Sequence, residues 1–110
     1  MTPPELTALL VQKVMGWTVH PNRYLMENRR WTPAWRFQPA ERLADAFRLL
    51  ERAAPVEYSM HGDSKGNFRV QVRIGETNGE ACGAAKPRVI TCAVARAVGI
   101  RVEGAEIDAA

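Results

Sequence analysis

The chain is predicted to be a single α+β domain in which a small antiparallel sheet packs with three helices. Three observations carry that expectation. Three segments repeat apolar residues at spacings of three and four, each opened by proline and closed by glycine or proline. Between the second and third lies a run of strict alternation, Phe68, Val70, Val72 and Ile74 against Arg69, Gln71 and Arg73, preceded by a shorter one. Finally, 110 residues with 46% apolar and 25% charged side chains can bury one core without disulfides or a structural metal.

The first helix opens at Thr2-Pro3-Pro4-Glu5, with Thr2 as cap, Pro4 in the first turn and Glu5 at the capping-box position. Leu6, Leu9, Leu10, Lys13 and Val14 form a mostly apolar stripe, and Gly16 suits a left-handed cap. From Trp17 to Pro39 no period is sustained. Pro21, Pro33 and Pro39 interrupt this stretch, so it reads as a long loop, and its five aromatics predict that it packs down.

Pro39 then reads as the first turn of a second helix whose apolar face is Leu43, Ala46, Phe47 and Leu50, stopped by Pro55. Val56, Tyr58 and Met60 alternate with Glu57, Ser59 and His61, pairing through the turn at residues 62–67 with the Phe68–Ile74 strand as a hairpin. A second turn is expected over Gly75–Gly79, with Glu80–Ala84 as a short third strand. Pro87 starts a last helix with Val89, Ile90, Ala93, Val94, Ala97 and Val98 on one side, ended by Gly99. Residues 1–101 form the predicted domain. Residues 102–110, with Glu103, Glu106 and Asp108, read as an acidic tail in which Ile107 is the one candidate to anchor an edge strand.

Composition narrows the function classes. The longest apolar runs are four residues, far below the ~20 of a membrane span, and Met-Thr-Pro-Pro-Glu has neither a basic nor an apolar leader region, so a soluble cytosolic protein is expected. Cys82 and Cys92 are not in a C-x-x-C pair and are expected as reduced thiols, Cys92 as a small buried apolar residue. His20 and His61 have no second ligand at helical spacing, which argues against a metal site, and no cofactor is expected.

Two stretches, Leu9-Leu10-Val11-Gln12-Lys13-Val14-Met15-Gly16-Trp17 and Ile90-Thr91-Cys92-Ala93-Val94-Ala95-Arg96-Ala97, together with Phe37, the helix end Ala46–Arg52 and the strand Phe68–Ile74, resemble the phage ABA sandwich domain family. The resemblance spans about residues 6 to 99. It implies an α/β/α sandwich and a phage or prophage origin in a bacterial cytoplasm, and it implies no established activity. The residue pattern itself expects the Arg69, Gln71 and Arg73 face to be solvated.

The net charge of +3 is unevenly distributed: Arg23, Arg29, Arg30 and Arg36 face only Glu27 between His20 and Arg36, and Lys86, Arg88, Arg96 and Arg101 have no acid among them. Arg29, Arg30, Trp31, Trp35 and Arg36 are the candidate partner-binding residues, because tryptophan and arginine concentrate affinity at interfaces. The first functional reading is therefore a non-enzymatic accessory protein that binds a host protein or an anionic small molecule, counter-defence among its roles. A second reading is nucleic-acid binding: helix, strands and a helix opened by Lys86 and Arg88 echo the double-stranded-RNA-binding arrangement. Catalysis ranks last, since His61, Asp63 and Ser64 are accounted for as turn residues. The sequence leaves the oligomeric state open.

Overall fold

A computed structural model describes residues 2–102. Helix α1 (Pro3–Leu10) begins with the expected capping box: the Glu5 amide donates to the Thr2 hydroxyl (3.3 Å) and the Thr2 amide to the Glu5 carboxylate (3.1 Å). It runs into one π-helical turn, Val11–Met15, closed by Gly16 at φ 73°. The Gly16 and Trp17 amides both donate to the Val11 carbonyl. That wider turn brings Met15 inward beside Leu6, Leu10 and Val11, whereas Leu9 and Lys13 from the expected stripe stay exposed.

The expected loop over Trp17–Pro39 is instead a small antiparallel sheet, β1 (Thr18–His20), β2 (Arg23–Leu25) and β3 (Trp31–Pro33), followed by a 3-10 turn at Ala34–Arg36. Strands of three residues are too short to display alternation, which hides them from periodicity. Pro21 and Asn22 make the first turn, with Asn22 accepting the positive φ of 65°. The sheet's inner row is Val19, Tyr24 and Thr32, and Tyr24 is buried against Trp17, whose ring also meets Phe37.

Helix α2 (Leu43–Ala53) starts four residues later than Pro39, which lies in a preceding turn where the Glu41 and Arg42 amides donate to the Gln38 carbonyl. Its buried face is Ala46, Leu49 and Leu50; Leu43 and Phe47, expected inside, are exposed. The helix is turned by its packing on α3 (Lys86–Ala97), a rotation that local spacing does not encode.

The second sheet is β4 (Glu57–Gly62), β5 (Phe68–Ile74) and β6 (Thr77–Gly83), antiparallel in that order. Asp63 organises the first turn by accepting from the Lys65 amide (2.8 Å), the Asn67 amide (3.0 Å) and the Asn67 side chain (3.1 Å). The second turn is shorter than Gly75–Gly79: Gly75 (φ 61°) and Glu76 suffice, so the third strand begins at Thr77 rather than Glu80. Gly79, read as a turn glycine, lies at the crossing of β6 and α3. A Cβ there would overlap the Ala93 carbonyl and the Ala97 amide.

Val70, Val72 and Ala81 fill the inner face under α3. The opposite face is open to solvent, as Arg69, Gln71 and Arg73 predict, with ion pairs Arg69–Glu80 and Arg73–Glu57 across the strands. Helix α3 is buried almost all round, including Thr91, Cys92 and Ala95 from its less apolar side, and ends at Gly99 with φ 87°. From the second sheet, contacts run through α3 to α2, then to the π turn and the first sheet. Val102 is buried, its carbonyl held by Arg96 (3.1 Å); of the edge strand expected over 100–107, residues 100–102 are not in a strand and 103–107 lie outside the described residues. No described helix is long and apolar enough to cross a membrane, and no disulfide joins exposed Cys82 to buried Cys92.

Candidate interaction surface

The three tryptophans have different surroundings. Trp17 is core, with ring centroids 5.3 Å from Phe37 and 6.1 Å from Tyr24, and the Arg48 guanidinium lies 5.2 Å above it. Burial also raises the Tyr24 hydroxyl pKa above its ordinary value, because the ionised form loses water. Trp31 and Trp35 are 45% and 59% exposed.

Trp31 lies on the outer face of the first sheet. Register places Leu25 directly opposite it and His20 opposite Arg23 two positions along, so His20, Arg23 and Trp31 share that face. The Arg23 guanidinium sits 3.9 Å from the Trp31 ring centroid and the His20 ring meets its edge at 4.8 Å. A stacked guanidinium keeps its in-plane N–H groups available for a carboxylate or phosphate while the ring offsets part of its desolvation.

Arg29 and Arg30 form the tip between β2 and β3. Arg29 adopts φ 62°, and the Arg30 amide donates to the Asn28 side chain (3.0 Å). The ion pair Arg52–Glu27 ties this tip to α2. Trp35 stands on the 3-10 turn with Arg36 5.4 Å from its ring, and its carbonyl accepts from the Gln38 side chain (2.8 Å). One side of Trp35 borders an apolar groove of about 320 Å³, walled by Pro3, Pro4, Tyr24, Ala34 and Phe37. Among the described residues, Arg23, Arg29, Arg30 and Arg36 have no carboxylate within ion-pair distance.

The five candidates thus fall at three places along one segment: the tip (Arg29, Arg30), the outer sheet face (Trp31) and the 3-10 turn (Trp35, Arg36). His20 and Arg23 went unrecognised as part of this surface. The signal was present in His20-Pro21-Asn22-Arg23, since a two-residue turn at Pro21-Asn22 sets those side chains opposite one another.

Lys86 and Arg88 diverge at the start of α3. The Lys86 ammonium lies 5.7 Å from the Phe68 ring centroid, while Arg88, mostly buried, reaches Glu41 (3.5 Å) at the rim of the Trp35 groove. The Asp63 carboxylate is occupied by the turn, and its hydrogen bonds to the Asn67 side chain and to the Asn67 and Lys65 amides hold its pKa below the ordinary 3.8. No group of three or more His, Cys, Asp or Glu side chains among the described residues could hold a metal ion.

No family model matches the chain, and no curated protein matches it. Its fold is similar to the 2.0 Å crystal structure of a phage protein from Bacillus cereus ATCC 14579, with a TM-score of 0.74 over 94% of this chain and 93% of that one at 15% sequence identity. At that identity the likeness concerns the fold alone.

Proposed function

We propose that this is a phage or prophage accessory protein of the bacterial cytoplasm that acts by binding rather than by catalysis, engaging a host protein or an anionic small molecule through the first sheet and its 3-10 turn. Counter-defence is one role such binding serves. The observation that carries the reading is the pairing of two exposed tryptophans with guanidinium groups, Arg23 on Trp31 and Arg36 near Trp35, in a segment whose arginines have no carboxylate partner among the described residues. Such a surface offers apolar area and unsatisfied planar donors together, the combination on which interface affinity concentrates. The fold shared with a phage protein supports the setting.

Nucleic-acid binding through Lys86 and Arg88 has less support, because Glu41 already pairs with Arg88 and Lys86 lies over Phe68. The deciding experiment captures partners from a bacterial lysate with the wild type, Trp31→Ala and Arg29→Ala/Arg30→Ala, then measures affinity and thermal unfolding on the same samples. Trp31→Ala is expected to weaken binding about 30-fold, equivalent to about 2 kcal/mol, with little change in melting temperature. Equal capture by all three proteins refutes the surface; a gel shift that fades steeply with salt points to nucleic acid instead.

A further inference from the structure

The two open edges of the second sheet differ. Along β6 the edge is occupied: the Arg96 guanidinium donates to the Glu80 carbonyl (2.6 Å) and to the Val102 carbonyl (3.1 Å), bracing the chain after α3 against that strand. Along β4 no strand or side chain of the described residues fills the equivalent place. Helix α3 covers β5 and β6, so the inner side of β4 is left short of cover, with Tyr58, directly opposite buried Val72, 54% exposed. Strand β4 also lacks several of the usual edge protections. It contains no proline, no lysine and no charge on its inner side.

We propose that β4 is a dimerisation edge at which a second copy of this chain pairs antiparallel, joining two three-stranded sheets into one of six. Backbone parity and side-chain chemistry select the register. The Asp63 amide donates to the Asn67 carbonyl, so alternate residues Glu57, Ser59 and His61 turn their backbone groups toward β5, and Tyr58, Met60 and Gly62 turn theirs to the open edge. A two-fold pairing that uses those open groups and keeps inner sides together matches even-numbered residues with even-numbered ones.

Centring it on Ser59 sets Tyr58 opposite the second copy's Met60, and Glu57 opposite the second copy's His61, each twice by symmetry. The carboxylate there meets an imidazole that can donate an N–H, and the phenol ring meets a thioether, both favourable cross-strand pairs. Shifting the centre to Met60 sets Glu57 against Asp63, two like charges. Shifting it to Tyr58 leaves Glu57 opposite Ser59 and forgoes both carboxylate–imidazole contacts. The Ser59-centred register is therefore the self-complementary one, and in it the two Ser59 residues face each other in a non-hydrogen-bonded pair, where Cα atoms approach to about 4.5 Å.

The test uses the whole chain. Sedimentation velocity across a hundredfold concentration range should show the wild type moving toward twice its 12.2 kDa mass. Tyr58→Lys, at a half-exposed position, should weaken dimerisation at least tenfold, with an unchanged unfolding midpoint at concentrations dilute enough that both proteins are monomeric. Ser59→Cys in a Cys82→Ser background should form a disulfide-linked dimer under mild oxidation, because directly opposed non-hydrogen-bonded positions fall within disulfide reach. Gln71→Cys in the same background, one strand inward, should not. A chain that stays monomeric throughout overturns the proposal. So does a dimer that is indifferent to Tyr58→Lys, or one in which Ser59→Cys fails to cross-link.

Discussion

The two sheets of this protein handle exposed charge in opposite ways. On the outer face of β4–β6, Arg69 and Arg73 sit across from Glu80 and Glu57, so each guanidinium has a carboxylate within the same sheet. Exposed pairs of this kind contribute under about 1 kcal/mol, and their main effect is to leave that face without a strong field. On the outer face of β1–β3, Arg23 lies instead on an indole ring, and the neighbouring tip adds Arg29 and Arg30, which have no ion-pair partner among the described residues. The first sheet therefore presents positive potential and aromatic area, whereas the second presents a balanced polar face and one bare edge. The proposed recognition surface lies on the first sheet and the proposed self-pairing edge on the second.

The sheets also depend on different supports, and substitutions there should break the contrast most strongly. Trp17→Ala removes the ring that joins the first sheet to the core through Tyr24 and Phe37, and should cost about 4 kcal/mol, unfolding much of the population at 37 °C. Chemical denaturation read by circular dichroism is the check. The corresponding break in the second sheet is Gly79→Ala, whose methyl group has no room between β6 and α3; a loss of about 3 kcal/mol is expected in the same assay. A neutral Gly79→Ala would mean that α3 can shift off the sheet.

Smaller changes sharpen the comparison. Cys92→Ala should cost about 1 kcal/mol while leaving partner binding by the first sheet intact, since Cys92 is buried on α3 and acts by packing. Loss of binding in a fully folded Cys92→Ala protein would contradict that. The smallest effect is on pH dependence. Asp63 is held below its ordinary pKa by the Asn67 side chain and amide and the Lys65 amide, so its folded-state pKa is lower than its unfolded one. Its contribution is present above the carboxyl range and is lost as pH falls from about 3.8 through the lowered value. Asp63→Asn should flatten the acid limb of a melting-temperature titration below pH 4, whereas the Pro21-Asn22 turn of the first sheet has no titrating group to respond.

What sequence alone determined here is what depends on near neighbours. Thr2 and Glu5 form the capping box because the two groups are three residues apart, and β5 alternates because seven residues are enough to show a period of two. Gly16 and Gly99 close helices through their own backbone freedom. The solvated Arg69, Gln71 and Arg73 face followed from the same local pattern. Tertiary structure decided the rest, because burial is settled by which distant surface a side chain meets. The flanking Arg29, Arg30 and Arg36 mark Trp31 and Trp35 as surface candidates in the sequence itself, but which side chains close over Trp17 is decided by the tertiary structure, which sets Phe37 and Tyr24 against its ring. The rotation of α2 that exposes Leu43 and Phe47, and the use of Gly79 for close contact rather than for a turn, both follow from where α3 lies. No spacing along the chain specifies that position, because the packing surfaces that fix it come from segments tens of residues apart.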